Sequence, residues 1–376
     1  MAGEAMLRGI ENRKSGHLEI SLREFVESNV SPGFEDVFLV HNALPEISKA
    51  DVDTSVRIFG HKLKAPLILE SMTGGVSESL KINKLLAECA QEYGLAIGVG
   101  SQRAALENPD LVKTYTVVRD SAPDAMVFAN LGCPQFAAGY GVEEARACVE
   151  MVKADALMIH TNPLQESVQP EGEPSFERVL SKIEEVASAL EVPVIVKETG
   201  SGISGEVSIQ IEKAGAKGVD VAGAGGTSWA AVEYCRAVRA RSRLHQSLGK
   251  TFRDWGIPTC ASIVETSRST KLTVISSGGV RSGVDIAKSI ALGADAGGAA
   301  LPFLKSAKRG RRFLNQAVQT FIEELRTSMF LVGARNVDEL SKAPVVITGR
   351  ISEWLNERGY DTSSYARRRS SSSRPA

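Results

Sequence analysis

Cysteine and long apolar runs are scarce in this 376-residue sequence. The five cysteines are scattered and form no CxxC pair, so we expect no disulfide framework and no structural zinc. Reduced thiols of this kind indicate a cytoplasmic protein. No run of roughly 18 apolar residues occurs, which predicts no membrane span. The opening residues, MAGEAMLRGIENRK, contain no apolar stretch typical of a signal peptide.

Net charge and aromatic residues are also scarce. The formal charge is -1 and aromatic residues make up 6% of the chain. A non-catalytic nucleic-acid binder is therefore disfavoured, because neither a general attraction to phosphate nor a base-stacking platform is indicated. The basic, Ser-rich end YARRRSSSSRPA is an exception, and we expect residues 363–376 to form a disordered tail.

A repeating unit is present instead: an apolar run, a Gly- or Ser-containing turn and then a helical pattern. Such alternation predicts a parallel sheet covered by helices on both faces. The apolar runs are Pro66–Leu69, Leu95–Val99, Met126–Ala129, Ala156–Ile159, Val192–Val196, Gly218–Ala222, Leu272–Ile275 and Ala294–Leu301. Eight units over residues 65–304 approach the ~250 residues of a (β/α)₈ TIM barrel, an α/β fold. An open doubly wound sheet is the structural alternative.

Segments outside these units are predicted to be appendages of the barrel. Residues 1–64 are expected to be largely irregular, with a possible strand at Val37–Val40 and a hairpin near Val56–Leu63, and to contribute to a substrate site. Residues 305–362 contain two helical patterns, Arg311–Leu331 and Ile347–Arg358. The sixth unit is oversized, with helical stretches on either side of a predicted loop at Gly249–Gly256.

Residues 156–173, ALMIHTNPLQESVQPEGE, form the stretch richest in chemistry. A buried strand, Ala156–Ile159, is followed at once by imidazole, amide and carboxylate groups: His160, Asn162, Gln165, Glu166, Gln169, Glu171 and Glu173. Polar groups in this position are typical of the catalytic end of a barrel strand. An ordinary polar loop is the alternative.

Two glycine-rich segments follow the seventh and eighth runs, SSGGVRSG at Ser276–Gly283 and GGAALP at Gly297–Pro302. In barrels, the loops at these places form a phosphate site with a helix N-terminus. Glycines let backbone N–H groups approach phosphate oxygens, and Arg281 would add a charge-assisted hydrogen bond.

Lys197 lies at the end of the fifth apolar run, where an ammonium must be paired or functional. Either Glu198 neutralises it or an anionic cofactor faces it, and the phosphate site favours the cofactor. The segment Gly200–Gly205 also matches G-x-G-x-x-G, with Asp220 twenty residues after Gly200, the spacing of a dinucleotide fingerprint. We reject that interpretation because the strand belongs to the eight-unit series.

Polar and small residues end several other runs, at Ser71–Gly75, Gly100–Arg103, Ala129–Gly132 and Gly223–Glu233. Such groups suit a flat ring system with hydrogen-bonding edges. Combined with a phosphate site and a lysine, they indicate flavin mononucleotide (FMN). Arg103, Arg13 and Lys14 would add charge for a second anionic ligand, or would be solvated surface charges.

Taken together, these residues resemble the type 2 isopentenyl-diphosphate Δ-isomerase family, an FMN-dependent barrel. The resemblance covers nearly the whole chain. Its motifs are NRKSGHLEI, SMTGG, GVGSQR, ANLG, HTNPLQE, QPEGEP, VKETGSGIS, GGTSW, DWGIP, SGGVRSG and GADAGGAALP.

The resemblance implies a role for each matching residue. The flavin ring and ribityl chain would be surrounded by Met72, Thr73, Gly74, Ser101, Asn130, Lys197 and Thr227. Its phosphate would be held by Gly279, Val280, Arg281, Ala300 and Leu301. The substrate diphosphate would be bound by Arg13, Lys14, Ser101, Gln102 and Arg103, with His160 and Asn162 shaping the diphosphate and metal site. Gln165 would lie against the isoprenyl unit, Glu166 would hold Mg²⁺, and Glu233 is a further catalytic candidate.

The implied reaction interconverts isopentenyl diphosphate and dimethylallyl diphosphate, which requires one proton to be added and another removed. Reduced FMN, formed with NADPH as reductant, would perform both transfers at N5, while Lys197 stabilises the anionic ring. Mg²⁺ commonly uses one or two carboxylates plus phosphate oxygens, so Glu166 alone suffices. The resemblance also implies a homo-oligomer, a tetramer or an octamer.

Another FMN barrel, a 2-hydroxy-acid oxidase, is the functional alternative. Such an enzyme needs a His–Arg pair after the sixth strand to take a proton and bind a carboxylate. The segment after Val221 reads AGAGGTSW and contains neither residue.

Overall fold

The computed structural model of the chain describes residues 2–368. Its strands are Val37–Leu39 (β1), Val56–Ile58 (β2), His61–Leu63 (β3), Leu67–Leu69 (β4), Ala96–Gly98 (β5), Met126–Gly132 (β6), Ala156–His160 (β7), Val194–Lys197 (β8), Gly218–Asp220 (β9), Thr273–Ser276 (β10), Ala296–Ala299 (β11) and Val345–Ile347 (β12). Strands β4 to β11 are parallel neighbours in chain order, and β11 pairs with β4, with Gly297 opposite Leu67. This closure confirms the (β/α)₈ barrel, and the open-sheet alternative is wrong.

Helices surround the barrel and continue beyond it. They are Ala2–Arg23 (α1), Ser77–Tyr93 (α2), Arg103–Glu107 (α3), Lys113–Ser121 (α4), Cys133–Ala137 (α5), Val142–Val152 (α6), Pro163–Val168 (α7), Val179–Ala189 (α8), Gly205–Lys213 (α9), Trp229–Arg239 (α10), Arg243–Thr251 (α11), Thr259–Ser269 (α12), Gly283–Leu292 (α13), Leu301–Arg309 (α14), Arg311–Leu331 (α15), Val337–Ser341 (α16), Gly349–Glu357 (α17) and Ser363–Ala366 (α18). The barrel strands are almost fully buried, and largely apolar before their C-terminal ends, because helices cover their outer face while side chains fill the interior.

The β2–β3 hairpin closes the N-terminal end of the barrel. Ile58 and Leu63 of the hairpin pack against Ile68, Phe128 and Met158 inside the barrel. We call this apolar cluster the barrel floor; its other members are Ala96, Met126, Ala156, Ile195, Ile275 and Ala296. Since the floor fills the lower half of the barrel, the interior is open only toward the C-terminal ends of the strands.

The first 64 residues are less irregular than the sequence predicts, because α1 occupies much of them. Leu18 and Ile20 are buried, and α1 packs against α3, α10 and α14, which follow the C-terminal ends of barrel strands. The prediction was wrong here because Arg13, Lys14 and His17 of α1 face the cavity. Polar side chains on the inward face obscure the apolar stripe by which a surface helix is ordinarily recognised.

The C-terminal region differs from the prediction in two places. Ile347 ends β12, which pairs antiparallel with β1, so the helix predicted from Ile347 begins only at Gly349. The expected tail at 363–376 is wrong for its first residues, since α18 is helical and Tyr365 is buried with its hydroxyl donating to the Leu292 carbonyl at 3.1 Å. The Arg368 guanidinium lies 4.2 Å from the Tyr365 ring. The rest of the tail, 369–376, lies outside the described residues.

The oversized sixth unit contributes three helices, α10, α11 and α12, and the predicted loop at 249–256 begins as the last turn of α11. Within residues 2–368, every helix is too short or too polar to cross a membrane.

Candidate functional site

A cavity of about 280 Å³ lies at the C-terminal ends of the barrel strands. Nearly all the residues singled out from the sequence line it: Arg13, Lys14, Met72, Thr73, Gly74, Ser101, Arg103, Asn130, His160, Asn162, Gln165, Glu166, Lys197, Thr227, Gly279, Val280, Arg281, Ala300 and Leu301. These residues come from α1 and from the ends of most barrel strands. The closed barrel brings together side chains that are up to 288 positions apart in the sequence.

Two predicted site residues do not line the cavity. Gln102 is fully buried, where its side chain donates to the Cys148 carbonyl at 2.9 Å and accepts from the Asn130 N–H at 2.9 Å. Its expected contact with the diphosphate is therefore wrong: the side chain joins strand ends from behind the cavity wall. Glu233 is also fully buried and reaches the cavity only through neighbours.

Those neighbours of Glu233 form a hydrogen-bonded chain. His17 Nε2 donates to Glu233 Oε1 at 2.7 Å, and Gln165 Nε2 lies 3.4 Å from the same oxygen. Arg236 Nη1 donates to the other oxygen at 2.7 Å. Burial, opposed by the Glu233 carboxylate, lowers the pKa of His17. Glu233 thus fixes two side chains, His17 and Gln165, that face the cavity.

Lys197 has two carboxylate partners that its sequence neighbours do not suggest. Its Nζ contacts Asp220 Oδ2, lies 3.1 Å from Glu70 Oε2 and donates to Ser277 Oγ at 3.2 Å. Burial disfavours the ammonium, but the charges of Asp220 and Glu70 outweigh it and raise the Lys197 pKa. Asp220 is thus a partner of Lys197 and not the acidic residue of a dinucleotide fingerprint. This agrees with the interpretation of Gly200–Gly205 as a barrel loop.

Glu198, the partner considered from the sequence, serves the following loop. Its Oε2 accepts hydrogen bonds from the backbone N–H groups of Thr199, Gly200 and Ser201, the first two at 2.6 Å. Burial outweighs these bonds and raises the Glu198 pKa to about 7.

Backbone donors and an arginine border the cavity after β10. The N–H groups of Gly279 and Val280 have no acceptor within the described part of the chain. Arg281 also lines the cavity, while its Nε donates to Glu27 Oε1 at 3.0 Å. A negative group with several oxygen acceptors fits such an arrangement, because it would satisfy both N–H groups and share the guanidinium.

The opposite side of the cavity is built from α1 and the start of α3. Lys14 Nζ donates to the carbonyls of Gly74 and Ser101, while Arg103 pairs with Glu107 at 2.7 Å. Burial, reinforced by the charges of Arg13 and Arg103, lowers the Lys14 pKa to about 7.

Carboxylate and amide groups cluster where β7 passes into α7. Glu166 accepts from Asn162 Nδ2 at 2.9 Å and from Gln169 Nε2 at 2.6 Å. The amide oxygens of both partners, Asn162 Oδ1 and Gln169 Oε1, are buried without a hydrogen-bond partner. His160 Nδ1 donates to Asn130 Oδ1 at 2.8 Å, and burial together with the charge of Lys197 lowers the His160 pKa to about 4.

Several cavity residues were missed by sequence reasoning, notably His17, Glu70 and Trp229. His17 stands one helical turn after Arg13, so a helix assignment for α1 would have indicated it. Glu70 directly follows the first apolar run, and a polar residue in that position is typical of the catalytic end of a barrel strand. Trp229 carried no separate signal beyond its place in GGTSW.

Comparison with known proteins gives a consistent result. The profile of the FMN-dependent dehydrogenase family matches residues 146–347, more than half of the chain. The chain resembles the isopentenyl-diphosphate delta-isomerase of Methanothermobacter thermautotrophicus, with 47% identity over 359 residues, covering 96% of this chain and 99% of the relative. It is 48% identical over 354 residues to the protein of that name from Thermococcus onnurineus, covering 92% and 94% of the two chains.

Solved structures agree on the fold. A lactate oxidase of Pediococcus acidilactici superposes with a TM-score of 0.65 at 15% identity, covering 91% of this chain and 94% of the oxidase. A flavocytochrome b2 mutant superposes with a TM-score of 0.64 at 18% identity, covering 92% and 88%. Identities this low show a shared barrel only, whereas the relatives at 47–48% identity extend over nearly the full length. This chain belongs to the isopentenyl-diphosphate delta-isomerase family.

Proposed function

We propose that this chain interconverts isopentenyl diphosphate and dimethylallyl diphosphate by a 1,3-allylic proton transfer that depends on FMN, as a step of isoprenoid biosynthesis. The observation that carries the proposal is the set of groups that line a single cavity. Unpaired backbone N–H groups with Arg281, the buried Lys197 and the cationic pair Arg13 and Lys14 all line it.

The residues after β10 and β11 fit the phosphate of FMN. Gly279 and Val280 offer free N–H groups, Arg281 offers a charge, and Ala300 and Leu301 border the same wall at the start of α14. Met72, Thr73, Gly74, Ser101, Asn130 and Thr227 would surround the ring and ribityl chain. When bound and reduced by NADPH, FMN would supply the acid–base group that adds and removes the two protons.

Lys197 would place its ammonium against the flavin ring. Its two carboxylate partners hold it at the cavity wall and keep it charged. Because the Glu70 pKa is itself raised to about 7, mainly by burial and by the Asp220 charge, Glu70 is partly protonated near neutral pH and the cluster carries less than one net negative charge. The lysine is thus available to an anionic ring without a large excess of buried charge.

The substrate diphosphate would lie between α1, α3 and the end of β7. Arg13, Lys14 and Arg103 supply positive charge, and Ser101, His160 and Asn162 supply polar atoms on the same side. Glu166 would hold Mg²⁺, and the unpartnered oxygens of Asn162 and Gln169 beside it suit a cation that prefers oxygen ligands. Among residues 2–368 no cluster of three acidic, His or Cys side chains is suited to a metal, so phosphate oxygens would complete the coordination.

Gln165 would lie against the isoprenyl unit, and Glu233 would act as a positioning residue through His17 and Gln165. Exclusion of water is favoured by α1, which brings Leu18 and His17 over the cavity, and by Trp229 beside the His17 ring at 5.1 Å. The homo-oligomer, a tetramer or an octamer, remains part of the proposal.

Anaerobic turnover tests this function directly. The protein is incubated with isopentenyl diphosphate, FMN, Mg²⁺ and a limiting amount of NADPH, and dimethylallyl diphosphate is measured. We expect many product molecules per NADPH oxidised, with deuterium from the solvent entering the product. One NADPH consumed per product, or hydrogen peroxide formed from lactate or mandelate in air, would instead indicate an oxidoreductase.

A further inference from the structure

The Lys14 ammonium lies in a cage of neutral oxygens. Its Nζ donates to the Gly74 carbonyl at 2.9 Å, to the Ser101 carbonyl at 2.7 Å and to the Tyr115 hydroxyl at 2.8 Å. An ammonium has three N–H donors, so this cage uses all of them. None of the acceptors carries a charge, in contrast to Lys197, which has two carboxylates.

Tyr115 reaches this position from α4, behind the cavity wall. Its ring is fully buried and fills the space beneath Gly74, where a Cβ would collide with it. Its hydroxyl donates to the Ser101 carbonyl at 2.6 Å, which turns an oxygen lone pair toward Lys14. The same carbonyl also accepts from Lys14, so the three groups form a closed triangle of hydrogen bonds. Burial raises the Tyr115 pKa, which keeps the phenol protonated.

The charges that face Lys14 come from several elements. Arg13 on α1 and Arg103 on α3 repel the ammonium, and Glu107 on α3 attracts it from its pair with Arg103. His160 on β7 is neutral at physiological pH, since its pKa is about 4. The cage is therefore short of negative charge, and a diphosphate would supply it.

We propose that Tyr115 is a positioning residue for diphosphate recognition: its hydroxyl, with the carbonyls of Gly74 and Ser101, fixes the Lys14 ammonium in the cavity wall. This inference rests on the proposed function of the cavity. It adds a residue that does not touch the ligand and that lies outside the cavity lining.

Inorganic pyrophosphate binding tests the inference without requiring turnover. FMN-loaded protein is titrated calorimetrically with pyrophosphate between pH 6 and pH 9 at fixed Mg²⁺. The reference is Lys14→Gln, which carries no charge at any pH. Dividing the wild-type affinity by that of Lys14→Gln cancels the protonation of pyrophosphate itself.

We expect this ratio to be roughly 10-fold at pH 6, because the caged ammonium acts on pyrophosphate through its charge, and to fall above about pH 7 as Lys14 deprotonates. In Tyr115→Phe the fall should begin roughly one pH unit lower, making binding near pH 7.5 up to about tenfold weaker. Tyr93→Phe, the same chemical change on α2 away from the cavity, should reproduce the wild-type curve.

A wild-type curve in folded Tyr115→Phe would overturn the inference. If that variant does not fold, a second measurement replaces it: the number of protons taken up when pyrophosphate binds at pH 8, determined calorimetrically in two buffers. Equal proton uptake by the wild type and by Lys14→Gln would overturn the inference. Absence of any pyrophosphate binding at pH 6, or of isopentenyl diphosphate turnover, would instead count against the proposed function.

Discussion

The two ends of the same eight strands are built on opposite principles. At the barrel floor, Ile58, Leu63 and Phe128 pack in an interior cluster made entirely of apolar residues. At the C-terminal end, within a few residues along each strand, Glu70, Lys197 and Asp220 are buried together. Apolar packing is favourable without a partner, whereas each buried charge depends on another. The floor therefore stabilises the barrel, and the opposite end retains charges that its chemistry requires.

Removing Lys197 should have the largest effect on both stability and function. Lys197→Ala leaves Glu70 and Asp220 buried without their cation, and breaking a buried pair costs about 3–5 kcal/mol. We expect the free energy of unfolding to fall by that amount and the binding of reduced FMN and the turnover to fall with it. Urea unfolding and flavin titration measure the two effects.

Lys182→Ala is the matched control, since Lys182 forms a pair with Glu185 on the outer surface of α8. Surface pairs contribute about 0–1 kcal/mol, so little change is expected. Equal stability of the Lys197→Ala and Lys182→Ala proteins would show that the buried cluster does not need its cation.

A substitution at the floor should separate stability from function. Leu63→Ala removes a fully buried side chain from the hairpin that closes the barrel, at a cost of about 2–5 kcal/mol. FMN affinity should remain within about twofold, because no floor side chain lines the cavity in the described chain. Urea unfolding measures the loss of stability. FMN titration, performed well below the unfolding transition, measures the affinity. A large loss of FMN affinity would mean that the two ends are coupled.

Arg281 should affect the cofactor more than the fold. Arg281→Ala removes one charged hydrogen bond to the proposed phosphate, worth about 1.5–3 kcal/mol. The partly exposed pair with Glu27 makes the lower end of that range the expected one. Riboflavin, which lacks the phosphate, is the control ligand, and its affinity should not change. Parallel losses for FMN and riboflavin, or none for either, would remove Arg281 from the phosphate site.

Local sequence patterns were sufficient for much of this structure. Continuous apolar runs predicted the barrel strands, and the predicted helix Arg311–Leu331 has the bounds observed for α15. Most cavity residues followed from a rule of the fold, since polar groups directly after a barrel strand meet at one end.

Local sequence patterns do not reveal which residues pair when they are far apart in the sequence. Glu198 follows Lys197 in sequence, but its carboxylate binds the next loop, and the true partners Glu70 and Asp220 lie at the ends of other strands. The pairing of β1 with β12 likewise joins distant segments. Gln102 was misassigned because its position at a strand end does not reveal that its side chain turns away from the cavity.

The last expected effect concerns the proton on Glu70. Its Oε1 is buried without a partner, while Oε2 faces Lys197 at 3.1 Å. Burial, then the charge of Asp220, raise its pKa to about 7 from 4.5. A carboxyl whose pKa is raised by folding stabilises the protein fully below the unfolded pKa, and that stabilisation is lost as the pH rises through about 7. Between pH 5 and 7 the folded state therefore holds up to one more proton than the unfolded state, and this group contributes a slope of at most ~1.4 kcal/mol per pH unit.

Glu70→Gln keeps the shape of the side chain and removes its titration. We expect the free energy of unfolding to decline less steeply from pH 5 to pH 7 in this variant than in the wild type. The measurement is the difference between the two slopes, because Glu198 also has a pKa of about 7 and contributes equally to both. Parallel lines for wild type and Glu70→Gln would mean that Lys197 holds both of its carboxylates ionised, and that the buried cluster carries a net negative charge.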